Sequence, residues 1–196
     1  MTELLSCNQV VRKVSEIFTL NEVNFTLNAG DSVALIGPNG AGKTTFFQLL
    51  TGNSDVTSGQ IKVKGEKFRP ESFMTKRSMG YLSQEVNLPQ WVTPLELFNY
   101  SAKLHAIHNP KDKIDEQLDL WQIQNYKSRP IASCSHGMKK RAGLGVALLH
   151  NPNILILDEP FAGLDILHIK SLQNMITKRR EEEKCTIVST HILPYA

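Results

Sequence analysis

The chain has 196 residues, 41% of them apolar and 21% charged, and 22 Lys and Arg against 19 Asp and Glu give a net charge of +3. That is an ordinary globular composition, sized for one domain that needs no staples. No run in it reaches the roughly 18 to 20 apolar residues of a bilayer span, the early-polar MTELLSCNQVVRKVSE is not expected to be a secretory leader, and the charge is too weak to argue for nucleic acid.

In chain order, Val23, Phe25 and Leu27 alternate with polar residues, which predicts a half-buried strand. Asn28-Ala29-Gly30-Asp31 marks a turn. The apolar run from Ser32 to Ile36 predicts a central buried strand. A glycine-rich segment follows, then a helix carrying Phe46, Phe47, Leu49 and Leu50 that Thr51-Gly52 ends. Ile61 to Gly65 reads as a further strand and turn. Thr93-Pro94-Leu95-Glu96 has capping-box spacing with proline at the first helical position, so a helix should run through about Ile107. Ile114, Leu118 and Trp121 recur at i, i+4 and i+7 and predict a second amphipathic helix. Residues from about 88 to 133 therefore read as a helical insertion. Gly137 to His150 reads as a helix, Ile154 to Leu157 as a second buried strand, Ile169, Leu172 and Ile176 as a helix face, and Thr186 to Ser189 as a third core strand. Strands alternating with helices predict an α/β protein with a mainly parallel sheet covered on both faces. The basic clusters Lys139-Lys140-Arg141 and Arg179-Arg180 read as solvated helix faces. Cys7, Cys134 and Cys185 have no metal-ligand spacing and suit a reducing compartment.

Gly37-Pro38-Asn39-Gly40-Ala41-Gly42-Lys43-Thr44 fits G-x-x-x-x-G-K-[ST] in full, between a buried strand and a helix. Glycines let successive N–H groups turn inward around an anion, and the helix N-terminus adds partial positive charge there. Lys43 offers an ammonium to outer phosphates, and the Thr44 hydroxyl is a hard ligand for Mg²⁺. Asp158-Glu159 ends the second buried strand, on the edge where open α/β sheets bind ligands. Two adjacent carboxylates there are costly unless their charge is used. Asp158 suits the metal from the side opposite Thr44, and Glu159 is the candidate to polarise an attacking water.

With these marks in order, the chain resembles the nucleotide-binding subunit of ATP-binding cassette (ABC) transporters over nearly its whole length. The resemblance rests on the cradle from Gly37 to Thr45, Gln84 in Tyr81-Leu82-Ser83-Gln84, Ser135-His136-Gly137-Met138, Asp158-Glu159, Ala162-Gly163-Leu164-Asp165 and His191 in Ser189-Thr190-His191. It implies a P-loop NTPase core with N-terminal antiparallel strands, all within a single domain of residues 1–196. It implies ATP and Mg²⁺ as ligands, with Thr44, Gln84 and Asp158 around the metal. Catalysis would fall to Glu159, His191, Gln84 and Lys43. Ser135 and Gly137 would bind the γ-phosphate held by a second subunit in a head-to-tail homodimer or heterodimer, and Asp165 would cross that interface. The partner implied is an integral membrane permease, touched by the helical insertion and the Gln84 loop, which sets the chain on the cytoplasmic face of the membrane. No nucleic acid is expected.

Three departures stand out. His136 and Met138 replace a glycine and a glutamine of the usual signature, a form similar to the branch that exports drugs, lipids or polysaccharides. Val14 stands where an aromatic normally stacks on adenine, so either adenine packs on Val14, or nearby Phe18 reaches the base, or Phe18 belongs to the core and affinity is lower. The chain ends at Pro194-Tyr195-Ala196, where relatives usually continue, as in a short natural form or a fragment. The rival readings are a soluble cassette ATPase of translation, repair or regulation, and a degenerate nucleotide-binding module with little hydrolysis.

Overall fold

The computed structural model describes residues 2–69 and 71–191, so the tail at Pro194-Tyr195-Ala196 lies outside the described residues. In chain order, β1 (Glu3–Lys13) and β2 (Thr19–Asn28) form an antiparallel pair, followed by β3 (Ser32–Ile36) and α1 (Lys43–Thr51). Next come β4 (Ser58–Val63), β5 (Glu66–Lys67), the short α2 (Phe73–Arg77) and β6 (Met79–Leu82). The helices α3 (Pro94–Leu104) and α4 (Lys111–Leu120) lead to a 3-10 turn at Ile131–Ser133 and then to α5 (His136–Leu148). The chain finishes with β7 (Ile154–Asp158), α6 (Ile166–Glu181) and β8 (Cys185–Thr190). One sheet is antiparallel with order β2-β1-β4-β5, and the other is parallel with order β3-β8-β7-β6.

Two cores flank the parallel sheet, and β7 feeds both by strand alternation. Ile154 and Ile156 pack with Phe46, Phe47 and Leu50 of α1 and with Leu5 and Val10 of the antiparallel sheet. Leu155 and Leu157 face the opposite way, into a core shared by Leu144 of α5, Leu172 of α6, and Phe98, Leu118 and Trp121 of the helical segment. All of β7 is buried, as a doubly covered strand should be. Helix α1 stops at Gly52, whose φ of 73° is the left-handed cap expected of glycine. Helix α3 starts with the complete Thr93–Glu96 capping box. It ends at Leu104 rather than near Ile107, because the chain turns through Ala106 at φ 49°.

The first strand hides from alternation rules. Leu4, Leu5, Cys7 and Val10 are buried, and the register slips between Cys7 and Val10, where Gln9 has φ 47°. A bulge of this kind breaks the period of two. It demands Gly59 in β4, where a Cβ would sit 2.1 Å from the Gln9 carbonyl oxygen.

Two expectations need correction. The run from Ser32 to Ile36 is not a central strand: β3 pairs only with β8 among the described residues, and Ile36 is 50% exposed. An apolar run reports what covers a strand's faces, not whether both its edges are paired. Nor are the basic clusters plain solvated faces. Arg179 is buried, its Nε donating to Thr186 Oγ1 (3.1 Å) and its NH2 to the carbonyls of Pro152 and Cys185 (3.0 Å each). The guanidinium fork thus ties α6 to β8 and to the loop before β7, and burial brings its pKa down to about 10. Lys140 is buried as well, Lys139 and Arg141 are half-buried, and of the two clusters Arg180 alone is exposed. The three cysteines are free and buried; burial pushes the Cys7 thiol up to about 12 and raises those of Cys134 and Cys185.

At the end of α3, His105 stacks on His150, with centroids 3.7 Å apart and planes 6° from parallel. His150 Nε2 lies 2.9 Å from the Met79 carbonyl, which can only accept, so Nε2 carries the hydrogen. Burial, then the neighbouring His105, push the His150 pKa from 6.5 down to about 4, against the opposing pull of the Met79 bond. The unfolded chain therefore takes up this proton near 6.5 and the folded chain only near 4. Stability from neutral His150 is complete above that window and is lost as pH falls through it. The urea midpoint should drop across the window, and drop less in His150→Gln. Equal slopes in the two proteins would remove His150 as the cause.

Candidate functional site

The segment leaving β3 wraps a cavity of about 480 Å³ lined by Asn39 to Thr45 together with Phe18, Gln84 and Glu159. This size suits a small-molecule ligand. Gly40 (φ 84°) and Gly42 (φ 95°) adopt left-handed conformations that let the loop turn. A Cβ on Gly42 would lie 3.1 Å from the Phe18 ring, so this aromatic packs against the cradle. No side chain caps the first turn of α1, which leaves its leading N–H groups without side-chain partners. Lys43 is 9% exposed, and its Nζ donates to the carbonyls of Gly37 (2.6 Å) and Pro38 (3.1 Å).

The C-terminal ends of β7 and β8 complete the site. Thr44 Oγ1 donates to Asp158 Oδ2 at 2.7 Å, so the two sit side by side at the cradle. Asp158 is fully buried, and Ser189 Oγ donates to its other oxygen. Burial, with the Asp158 charge second, pushes the nearby Tyr81 hydroxyl up to about 12. Glu159 follows at φ 46°, with its N–H donating to Ser189 Oγ at 2.8 Å. One hydroxyl therefore serves both acidic residues. Glu159 Oε2 is 2.9 Å from His191 Nδ1, whose side chain is half exposed. Glu159 Oε1 lies 3.8 Å from Lys43 Nζ, an ion pair too long for a hydrogen bond, so this buried oxygen has no donor among the described residues.

The structure thus gathers the cradle, Gln84, Asp158, Glu159 and His191. Val14 is 52% exposed and does not line the cavity; Phe18 does, and it lies in neither core. Ser135 and Gly137 do not line it either. Ser135 caps α5, accepting the Met138 N–H at 3.3 Å. Gly137 is fixed by packing within the chain, since a Cβ there would lie 2.9 Å from the Gly163 carbonyl. Asp165 caps α6, its Oδ1 accepting the His168 N–H (3.0 Å) and lying 2.7 Å from His168 Nδ1. These bonds hold the Asp165 carboxyl below the usual carboxylate range. Arg141 donates to His168 Nε2 at 3.1 Å; because arginine only donates, the His168 hydrogen sits on Nδ1.

Two residues of the site escape the sequence reading. Ser189 reads as core strand, and Lys140 reads as surface. The signal for Lys140 is helical phase: Lys140, Leu144 and Ala147 recur at i, i+4 and i+7 on the buried face of α5.

A family profile described as ABC transporter matches residues 20–162. Similar curated proteins include the ABC transporter ATP-binding protein YxlF of Bacillus subtilis (strain 168), 35% identical over 97% of this chain and 63% of that protein. The bacitracin transport ATP-binding protein BcrA of Bacillus licheniformis is 34% identical over 98% of this chain and 63% of its own length. An aliphatic sulfonates import ATP-binding protein SsuB of Bacillus cereus is 32% identical over 94% and 73% respectively. The chain therefore spans 63% of the length of the first two relatives. A solved ATP binding subunit of an ABC transporter superposes with a TM-score of 0.90 at 27% identity, covering 97% of this chain and 80% of that one. A nucleotide-free ATP-binding cassette shares the fold at a TM-score of 0.79 and 21% identity, covering 98% of this chain and 83% of that one.

The shared hydroxyl gives a direct test of this geometry. Ser189→Ala strands a buried carboxylate oxygen and a buried N–H, and should cost about 1–3 kcal/mol in urea unfolding. An unchanged midpoint would contradict the bonds described.

Proposed function

This chain belongs to the ABC transporter family, and on that premise we propose that it binds ATP with Mg²⁺ and hydrolyses it to power an integral membrane permease. The observation that carries the reading is the meeting of Thr44 and Asp158 at 2.7 Å beside the cradle, with Lys43 and Glu159 across the same cavity. The pair supplies two hard oxygens from elements far apart in sequence, and Gln84 adds an amide oxygen at the cavity wall. That donor set fits Mg²⁺, which when bound supplies positive charge to the phosphates.

The protein groups then divide the work. The uncapped N–H groups at the head of α1 hold phosphate oxygens, and Lys43 exchanges its loop carbonyls for the outer phosphates. Glu159 orients and deprotonates the attacking water; its Oε1, which has no donor among the described residues, is available for that proton. His191, bonded to the other oxygen, steadies the carboxylate and faces the terminal phosphate. Phe18 is the aromatic that packs the adenine, in place of Val14.

Ser135, Gly137 and the N-terminus of α5 act in trans, on the terminal phosphate held by a second cassette in a head-to-tail dimer. Their separation from this chain's own cavity supports that reading. The helical insertion at about 88–133 and the Gln84 loop face the permease, which places the chain on the cytoplasmic side of the membrane. No helix among the described residues is long and apolar enough to cross a bilayer.

In Glu159→Gln, nucleotide affinity should stay close to wild type. Phosphate release should fall by about 100-fold or more, and dimer should accumulate with Mg·ATP. Full steady-state hydrolysis would remove Glu159 as the base. Scattering that finds only monomers in trapped nucleotide would remove the trans site.

A further inference from the structure

Glu159 sits in the left-handed region, at φ 46°, which a non-glycine residue adopts only when its surroundings hold it there. Both of its backbone polar groups are held. Ser189 Oγ accepts the N–H at 2.8 Å, and Lys140 Nζ donates to the carbonyl at 2.6 Å. The same ammonium donates to the Ala162 carbonyl at 3.1 Å, so Lys140 grips both ends of the turn from Glu159 to Ala162. Lys140 is 1% exposed, and among the described residues it forms no ion pair with a carboxylate. A buried ammonium bound only to carbonyls is a costly way to fill space. Burial lowers its pKa, and the charges of Glu159 and then Asp158 oppose that shift.

Lys140 also lies on α5, the helix that Ser135 caps. At the head of that helix, Gly137 packs against the carbonyl of Gly163, just beyond the gripped turn. The helix head and the Glu159 turn are therefore joined at two points.

We propose that Lys140 is a positioning residue for hydrolysis: by holding the Glu159 carbonyl it fixes the turn that aims this carboxylate at Lys43 and His191, and it anchors that turn to the helix carrying Ser135. The proposal rests on the reading of Glu159 as the base that activates water. The carbonyl bond acts on geometry alone, so its loss should move turnover and leave nucleotide capture intact.

The test compares Mg·ATP turnover and nucleotide affinity in wild type, Lys140→Met, Lys140→Arg and Lys139→Met. Methionine keeps the buried stem and removes the donor. In Lys140→Met, kcat should fall by about 10- to 100-fold, the scale of a misplaced catalytic group, while nucleotide Kd stays within about threefold. Lys140→Arg, which keeps donors, should recover most of the loss, and Lys139→Met, at a half-buried neighbour whose ammonium bonds Gln90 rather than the turn, should match wild type. Adding Lys140→Met to Glu159→Gln should lower the residual rate no further, because both act through one carboxylate. If Lys140→Met does not fold, Lys140→Gln replaces it; its shorter amide cannot span both carbonyls, and a kcat loss at constant Kd is again expected. Wild-type kcat in the substituted protein overturns the proposal, as does an equal loss of kcat and affinity, or a further loss on top of Glu159→Gln. A wild-type chain without turnover overturns the reading of Glu159 and this proposal with it.

Discussion

The parallel register of β3, β8 and β7 sets where every group of the site can lie. Ile36 pairs with Thr190, and Asp158 with Ser189, so three strands finish at the same level. The cradle leaves the first, His191 leaves the second, and the acidic pair ends the third. β6 runs parallel beside β7, with Leu82 opposite Leu157, and brings Gln84 to the same edge. Groups separated by 114 residues in sequence, Thr44 and Asp158, can then share a hydrogen bond with no loop bridging the gap. A slip of one residue in β7 would turn its two apolar faces inside out and carry the carboxylates away from the cradle.

That edge concentrates charge that the interior would otherwise reject. Lys43, Lys140, Asp158 and Glu159 are all at least nine-tenths buried. Each finds a different form of compensation. Lys43 uses loop carbonyls, Lys140 uses the turn after β7, and Asp158 uses two hydroxyls. Glu159 is the least satisfied among the described residues, with one oxygen on His191 and the other without a donor there. An unmatched oxygen at this position is unfavourable for stability alone and suits a group that must take up a proton. The same pattern extends away from the site: the buried Nε and NH2 of Arg179 donate to a hydroxyl and two carbonyls.

Much of this is legible in the residues alone. The cradle, the acidic pair and the helix caps at Thr93 and Gly52 follow from local rules in which type and spacing decide the outcome. What escapes depends on long-range packing. The strand Glu3–Lys13 is disguised by its bulge, and β3 reads as central because apolarity does not encode edge pairing. Lys140 and Arg179 read as solvated because a basic doublet says nothing about which carbonyls wait across the fold. Phe18 cannot be told from a core residue until the chain turns it against Gly42.

The three buried thiols carry a practical corollary. With Cys7 titrating only near 12 and the other two also shifted upward, little thiolate exists at neutral pH to meet an alkylating dye. The native background is therefore nearly silent to maleimide chemistry while the fold is intact. A cysteine placed at an exposed site such as Trp91 or Ile166 could take a fluorophore or spin label alone, so the motions of the helical segment and of the α6 tip can be followed spectroscopically without first stripping the native sulfurs.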